Sequence, residues 1–302
     1  MEFVRNACLS RNAWLLNLVG GVTKQIEYGF DISCLVLQPT DFHCLLDVHP
    51  DQRQHIQYES EFRASGSISH ALTQDNFGNR MRRITAGPGQ IVLSCRGVLQ
   101  NSGQPEFVPA TTRELLISEL PGDVLPYLLP SRYCDIEHLS NFAWQQFGSV
   151  APGVERVRAI GNWVHNHIVF GYPHARATRT ATEAFNERRG VCRDFAHRAI
   201  TLCRCLNMPA RYVNGYLGDI GVPCNPAPMD FNAWFEVYLD GGWFTFDARH
   251  NIPRIGRIVV ARGRDAADVA MIHSFGPHML QSFQVISNVW SAPDVTALEI
   301  AA

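Results

Sequence analysis

The chain has 302 residues, of which 46% are hydrophobic and 18% charged, with a net charge of −2. This composition fits a soluble globular protein of one large domain or two ordinary ones. It excludes a strongly basic nucleic-acid binder and leaves no basic stripe for an anionic membrane. The nine cysteines are odd in number and scattered, which fits reduced thiols in the cytoplasm better than a disulfide framework.

Residues 1–24 read as an N-terminal extension. Arg5 and Arg11 precede a short apolar run, Trp14 to Val19, but a signal peptide would need a longer one and a small-residue cleavage site. From 25 to 110 the pattern is β. Gln25 to Ile32 roughly alternates polar and apolar residues, and Cys34-Leu35-Val36-Leu37, Cys44 to Val48 and Ile91 to Cys95 follow as further strands. Asp75-Asn76-Phe77-Gly78-Asn79 and Gly87-Pro88-Gly89 carry turn chemistry. Residues 111–130 hold Pro121, Pro126 and Pro130 and predict a surface connector.

Helical spacing begins after 131. Ile136, Leu139, Ala143 and Phe147 share a face, as do Val154, Val157, Ile160, Val164 and Ile168. A short helix is expected over Thr180 to Arg188. A fourth begins near Cys192, with Phe195, Ala199, Leu202 and Leu206 as its apolar stripe, and ends at Asn207-Met208-Pro209. Then come a strand at Arg211 to Leu217 and a hairpin whose arms are Asp230 to Leu239 and Trp243 to Asp247.

Chemistry concentrates around Cys192. A helix start offers unpaired amide N–H groups and positive dipole charge, both of which favour a thiolate. The bland alternative is a buried, inert cysteine. In the hairpin, a turn at Asp240-Gly241 pairs Leu239 with Gly242, Trp234 with Asp247 and Asn232 with Arg249. Asn232 and Asp247 are then diagonal neighbours on one face. A turn at Gly241-Gly242 would separate them.

Gly190-Val191-Cys192-Arg193-Asp194-Phe195-Ala196, the Ala233 to Leu239 arm and Phe246-Asp247-Ala248-Arg249-His250-Asn251 together resemble the bacterial transglutaminase-like superfamily. The resemblance covers about residues 25 to 280 and is densest over 120 to 265. It implies an α+β fold: a β-sandwich-like N-terminal domain (25–110), the connector (111–130) and a papain-like transglutaminase core (131–302). It also implies a Cys-His-Asp site, with Cys192 as nucleophile and Asp247 as orienting acid. The expected substrate is an amide-bearing peptide, protein or small molecule, attacked through a thioester without cofactor or metal. The histidine position falls on Asn232, which can hydrogen-bond but cannot act as a general base. Three explanations stay open: an enzyme whose histidine has been exchanged or lost, a binding module with a vestigial site, or a base supplied from elsewhere. Among the other histidines, strand alternation sends His250 away from Asp247, unless the strand has already ended. His197 lies about 140° round the helix from Cys192, and His165 and His167 diverge on theirs. Cys203 and Cys205 are too close along one helix to share a zinc easily.

Overall fold

The computed structural model describes residues 23–291, so Cys8, the Trp14 to Val19 run and most of the expected N-terminal extension lie outside the described residues. The first half is β: β1 (Lys24–Val36), β2 (Thr40–Cys44), β3 (Ile56–Glu59), β4 (Arg63–Ser65), β5 (Ile68–Gln74), β6 (Arg80–Ala86) and β7 (Gly89–Asn101). Helices follow: α1 (Ser140–Phe147), α2 (Val154–His167), α3 (Ala181–Glu187) and α4 (Cys192–Cys205), with two-residue strands β8 (Val169–Phe170) and β9 (Arg189–Gly190) between them. The later described residues form β10 (Ala210–Tyr216), β11 (Asn232–Leu239), β12 (Gly242–Phe246), β13 (Ile258–Gly263), β14 (Ile272–Ser274) and β15 (His278–Val289). No described helix is long and apolar enough to cross a membrane. The α+β class expected from the sequence is the class observed.

Two sheets form the N-terminal half. One has the order β15-β1-β7-β3, with β4 also on β7; the other runs β14-β2-β6-β5. Their strands obey the period of two: Ile26, Tyr28, Phe30, Ile32, Cys34 and Val36 of β1 are all buried on one face. β15 pairs with β1 from Ile26↔Val289 to Val36↔His278, and β14 pairs with β2. β1 is thereby paired along both edges, and β14 and β15 extend the N-terminal sheets.

The third sheet, β12-β11-β10-β13, carries the helices. The hairpin adopts the register with Asp240-Gly241 in the turn, since Leu239 pairs with Gly242 and Phe235 with Phe246. The connector lies against this hairpin: Val124 and Tyr127 are buried, and Tyr127 meets Trp243 edge-on at 5.1 Å. α4 differs from the expected one-sided stripe. Every residue from Asp194 to Cys205 is buried, because strands and helices surround it. His197 does point away from Cys192, but into the interior: it stacks on Tyr133 and accepts the Ala266 N–H at 3.1 Å. Arg198 is also buried, with its guanidinium 4.4 Å from the Phe185 ring centroid and Nη1 donating to Ala184 O. Cys203 and Cys205 are structural thiols; burial pushes Cys205 up to about 12.

The N-terminal sheets are bolted to the core by polar groups. Asn79, in the expected 75–79 turn, is fully buried; it donates to Arg262 O and accepts from Arg262 N, both at 2.8 Å. Arg262 also donates to His49 Nδ1 at 3.0 Å. Burial first, then the Arg262 charge, lowers the His49 pKa from 6.5 to about 4. A depressed imidazole contributes stability in full above 6.5 and loses it as pH falls toward 4, because only the unfolded chain takes up the proton there. The full interval is worth about 3 kcal/mol. Urea midpoints should therefore fall between pH 6.5 and 4, and His49→Gln should fall less steeply. Equal slopes for the two proteins would refute this coupling. His197, also lowered well below 6.5 by burial, adds in the same direction.

Candidate active site

Cys192 is the first residue of α4. Its helix start is built around the side chain at the third helical position. Asp194 Oδ2 accepts from Val191 N at 2.8 Å and from Arg179 Nη1 at 3.0 Å. Gly190 is necessary here, since a Cβ on it would stand 2.5 Å from Asp194 Oδ2. The thiol is half-buried, beside the start of β11. Burial pushes its pKa above the ordinary 9.0; Arg249 and the backbone N–H of Ala233 favour the anion, and Asp230 and Asp247 oppose it. The expected thiolate-promoting helix start is thus outweighed by desolvation.

Asn232 opens β11. Its Nδ2 donates to Asp230 O at 3.2 Å, and its Oδ1 accepts from Arg249 Nη1 at 2.8 Å. It makes no hydrogen bond to Asp247. That carboxylate is saturated elsewhere: Oδ1 accepts the N–H groups of Arg249 and His250 at 2.9 and 3.0 Å, and Oδ2 accepts His250 Nδ1 and Arg257 Nη2, both at 2.8 Å. Burial raises its pKa, but Arg257 and His250 outweigh that and hold the carboxyl well below the usual carboxylate range. Arg257 is paired in turn with Glu106 at 2.5 Å.

The residue that sequence reasoning set aside is therefore the one Asp247 holds. β12 ends at Phe246, and Asp247 caps a turn through residues 248–250, so strand alternation no longer applies to His250. The turn is fixed from α2: His165 Nδ1 lies 2.9 Å from Arg249 O, and Asn251 donates to Asn162 Oδ1 at 2.7 Å. His167 diverges as expected, toward Phe185 O. A groove of about 230 Å³, lined by Glu106, Arg158, Asn162, Asp247 and Asn251 among others, reaches the acid but not Cys192.

The Arg249 guanidinium lies over the Phe170 ring, 3.9 Å from the centroid, and bonds Asn232. It pairs with no carboxylate among the described residues. The signal available in the sequence was the short Asp247-Ala248-Arg249-His250-Asn251 run, where an aspartate followed by polar residues can close a turn on itself.

A sequence model described as the Transglutaminase-like superfamily matches residues 141–248, which include Cys192, Asn232 and Asp247. The solved structure of a Cytophaga hutchinsonii protein, provisionally named a cysteine protease, superposes with a TM-score of 0.78 at 30% identity, over 90% of this chain and 92% of that one. An uncharacterized protein of Mycobacterium leprae is 29% identical over 117 residues, 38% of this chain and 42% of its own length. One from Mycobacterium tuberculosis is 29% identical over 137 residues, 42% of this chain and 44% of its own length. The chain spans less than half the length of these mycobacterial relatives.

Proposed function

Because the chain belongs to the transglutaminase-like superfamily, we propose that it carries out thiol-dependent acyl transfer on amide bonds at Cys192, slowed by Asn232. The observation that carries this reading is the placement of the half-buried thiol at the α4 start, beside Asn232 and the Ala233 amide. In the first step the Cys192 sulfur attacks an amide carbonyl. The carbonyl π electrons move to oxygen, and the backbone N–H of Cys192 is one donor available to that oxyanion. Collapse expels the amine, which must gain a proton, and leaves a thioester. Water or a second amine then releases the acyl group. Asn232 can neither take the thiol proton nor deliver one to the departing amine, so both proton transfers lose general-base and general-acid assistance.

A second reading is favoured by the Asp247–His250 pair at 2.8 Å. Here His250 is the base from elsewhere, and Asp247 orients it as it would orient a histidine at 232. The two readings part on one variant: His250→Ala leaves acylation of Cys192 unchanged in the first and cuts it in the second.

The test is intact-mass detection of an acyl-enzyme with an aryl ester and a panel of peptide amides. The expected result is a single acyl adduct mapped to Cys192, lost in Cys192→Ala. Absence of any adduct, both in this protein and in Asn232→His, would sink the reading and leave a binding module with a vestigial cleft.

A further inference from the structure

Arg249 is a cation without a carboxylate partner, set beside the candidate nucleophile. Three contacts locate it. Nη1 donates to Asn232 Oδ1 at 2.8 Å, and Asn232 immediately precedes Ala233, whose amide faces the Cys192 sulfur. The guanidinium lies over Phe170, 3.9 Å from its centroid. Phe170 pairs in register with Gly190, two residues before Cys192. The cation therefore bridges the two strand ends that flank the thiol.

The rest of the guanidinium is uncommitted. Among the described residues, the acceptor for Arg249 is Asn232 alone, which leaves Nε and Nη2 available. The carboxylates that influence the thiol are Asp230 and Asp247. Neither comes within ion-pair distance of Arg249, and Asp247 is matched by Arg257 at 2.8 Å. A planar guanidinium with open N–H groups receives a carboxylate in preference to a neutral group.

We propose that Arg249 is a specificity residue that binds a carboxylate of the substrate, next to the amide carbonyl attacked by Cys192. The substrate class is then an acidic amide: a peptide or small molecule with a carboxylate within about one residue of the scissile bond. The inference rests on Cys192 as nucleophile, yet it does not require turnover.

The experiment compares two alkylating reagents of similar size, anionic iodoacetate and neutral iodoacetamide. Each forms a sulfur–carbon bond with the thiolate while iodide leaves with the bonding pair, the thiol proton having gone to buffer. Any change in thiolate fraction acts on both rates alike, so their ratio isolates the field on the incoming charge. The iodoacetate-to-iodoacetamide ratio at Cys192, read by site-resolved mass spectrometry, should exceed that of a neutral cysteine peptide in the same tube by about tenfold. The excess should shrink as NaCl is raised, vanish in Arg249→Met and persist in Arg249→Lys. The salt arm needs no variant, so misfolding of Arg249→Met does not leave the question open. A Cys192 ratio equal to that of the peptide, or one unchanged in a folded Arg249→Met, overturns the proposal. Failure to find an acyl-enzyme bears on the function above and leaves this ratio untouched.

Discussion

Asn232→His alone should raise the reactivity of Cys192 by no more than about tenfold, whereas Asn232→His with His250→Ala should raise it on the order of 10²-fold. The difference comes from Asp247. A new imidazole at 232 would have to be oriented by that carboxylate, whose four acceptor directions are already used by Arg249 N, His250 N, His250 Nδ1 and Arg257. It would also meet Arg249 where Asn232 Oδ1 now accepts a bond, and a guanidinium there disfavours the imidazolium of an ion pair with the thiolate. Deleting the His250 ring frees part of Oδ2. The gain has its source in the thiol itself: burial pushes its pKa above the ordinary 9.0, so the neutral form predominates at pH 7 and a base beside it raises the reactive fraction. Iodoacetamide labelling of Cys192 at pH 7 measures this, with the other cysteines as controls. A single variant that gains as much as the double would show that Asp247 is not the constraint. No gain in either would place residue 232 out of reach of the thiol and count against nucleophile chemistry there.

The helix carrying Cys192 and the hairpin register with Asp240-Gly241 in its turn were legible because they depend on short-range rules: apolar spacing, turn residues and strand pairing. The patterns gave β elements before residue 110 and helices after 131, and the family resemblance implied the α+β class. What could not be read was long-range. β14 and β15 look like any late strands in sequence, and only the unpaired edges of β1 and β2 recruit them to the N-terminal sheets. α4 showed one apolar stripe, yet it is enclosed on all sides, with His197 and Arg198 buried by elements distant in sequence. At the site, the placement of His250 turned on where the strand stops: alternation would send it away from Asp247, but the strand ends at Phe246 and Asp247 already caps a turn. Desolvation of Cys192 likewise depends on what the fold packs around the thiol, and no spacing rule reports it.

Asp194→Ala should destabilise the protein by about 3–5 kcal/mol, the cost of breaking one side of a buried ion pair. Asp194 and its partner Arg179 have side chains only 1% and 4% exposed. Burial pushes the Asp194 carboxyl pKa up, against the Val191 N–H and the charges of Arg193 and Arg179. The pair is therefore not a large net source of stability. Its importance is that neither member can be left alone: without Asp194, the Arg179 guanidinium retains His174 O and Glu187 but loses the buried carboxylate, and the Val191 N–H loses its acceptor. A double variant, Asp194→Leu with Arg179→Met, should recover much of the loss, because it removes both desolvated charges together. Urea unfolding of the four proteins in the cycle measures the coupling. If the two single variants and the double lose stability additively, the pair is not coupled and the cap alone holds the helix start. The same change reaches function, since Val191 precedes Cys192. Loosening that turn should blur the selectivity of alkylation at Cys192 before the whole chain unfolds, as local opening precedes global unfolding at a helix end deprived of its cap.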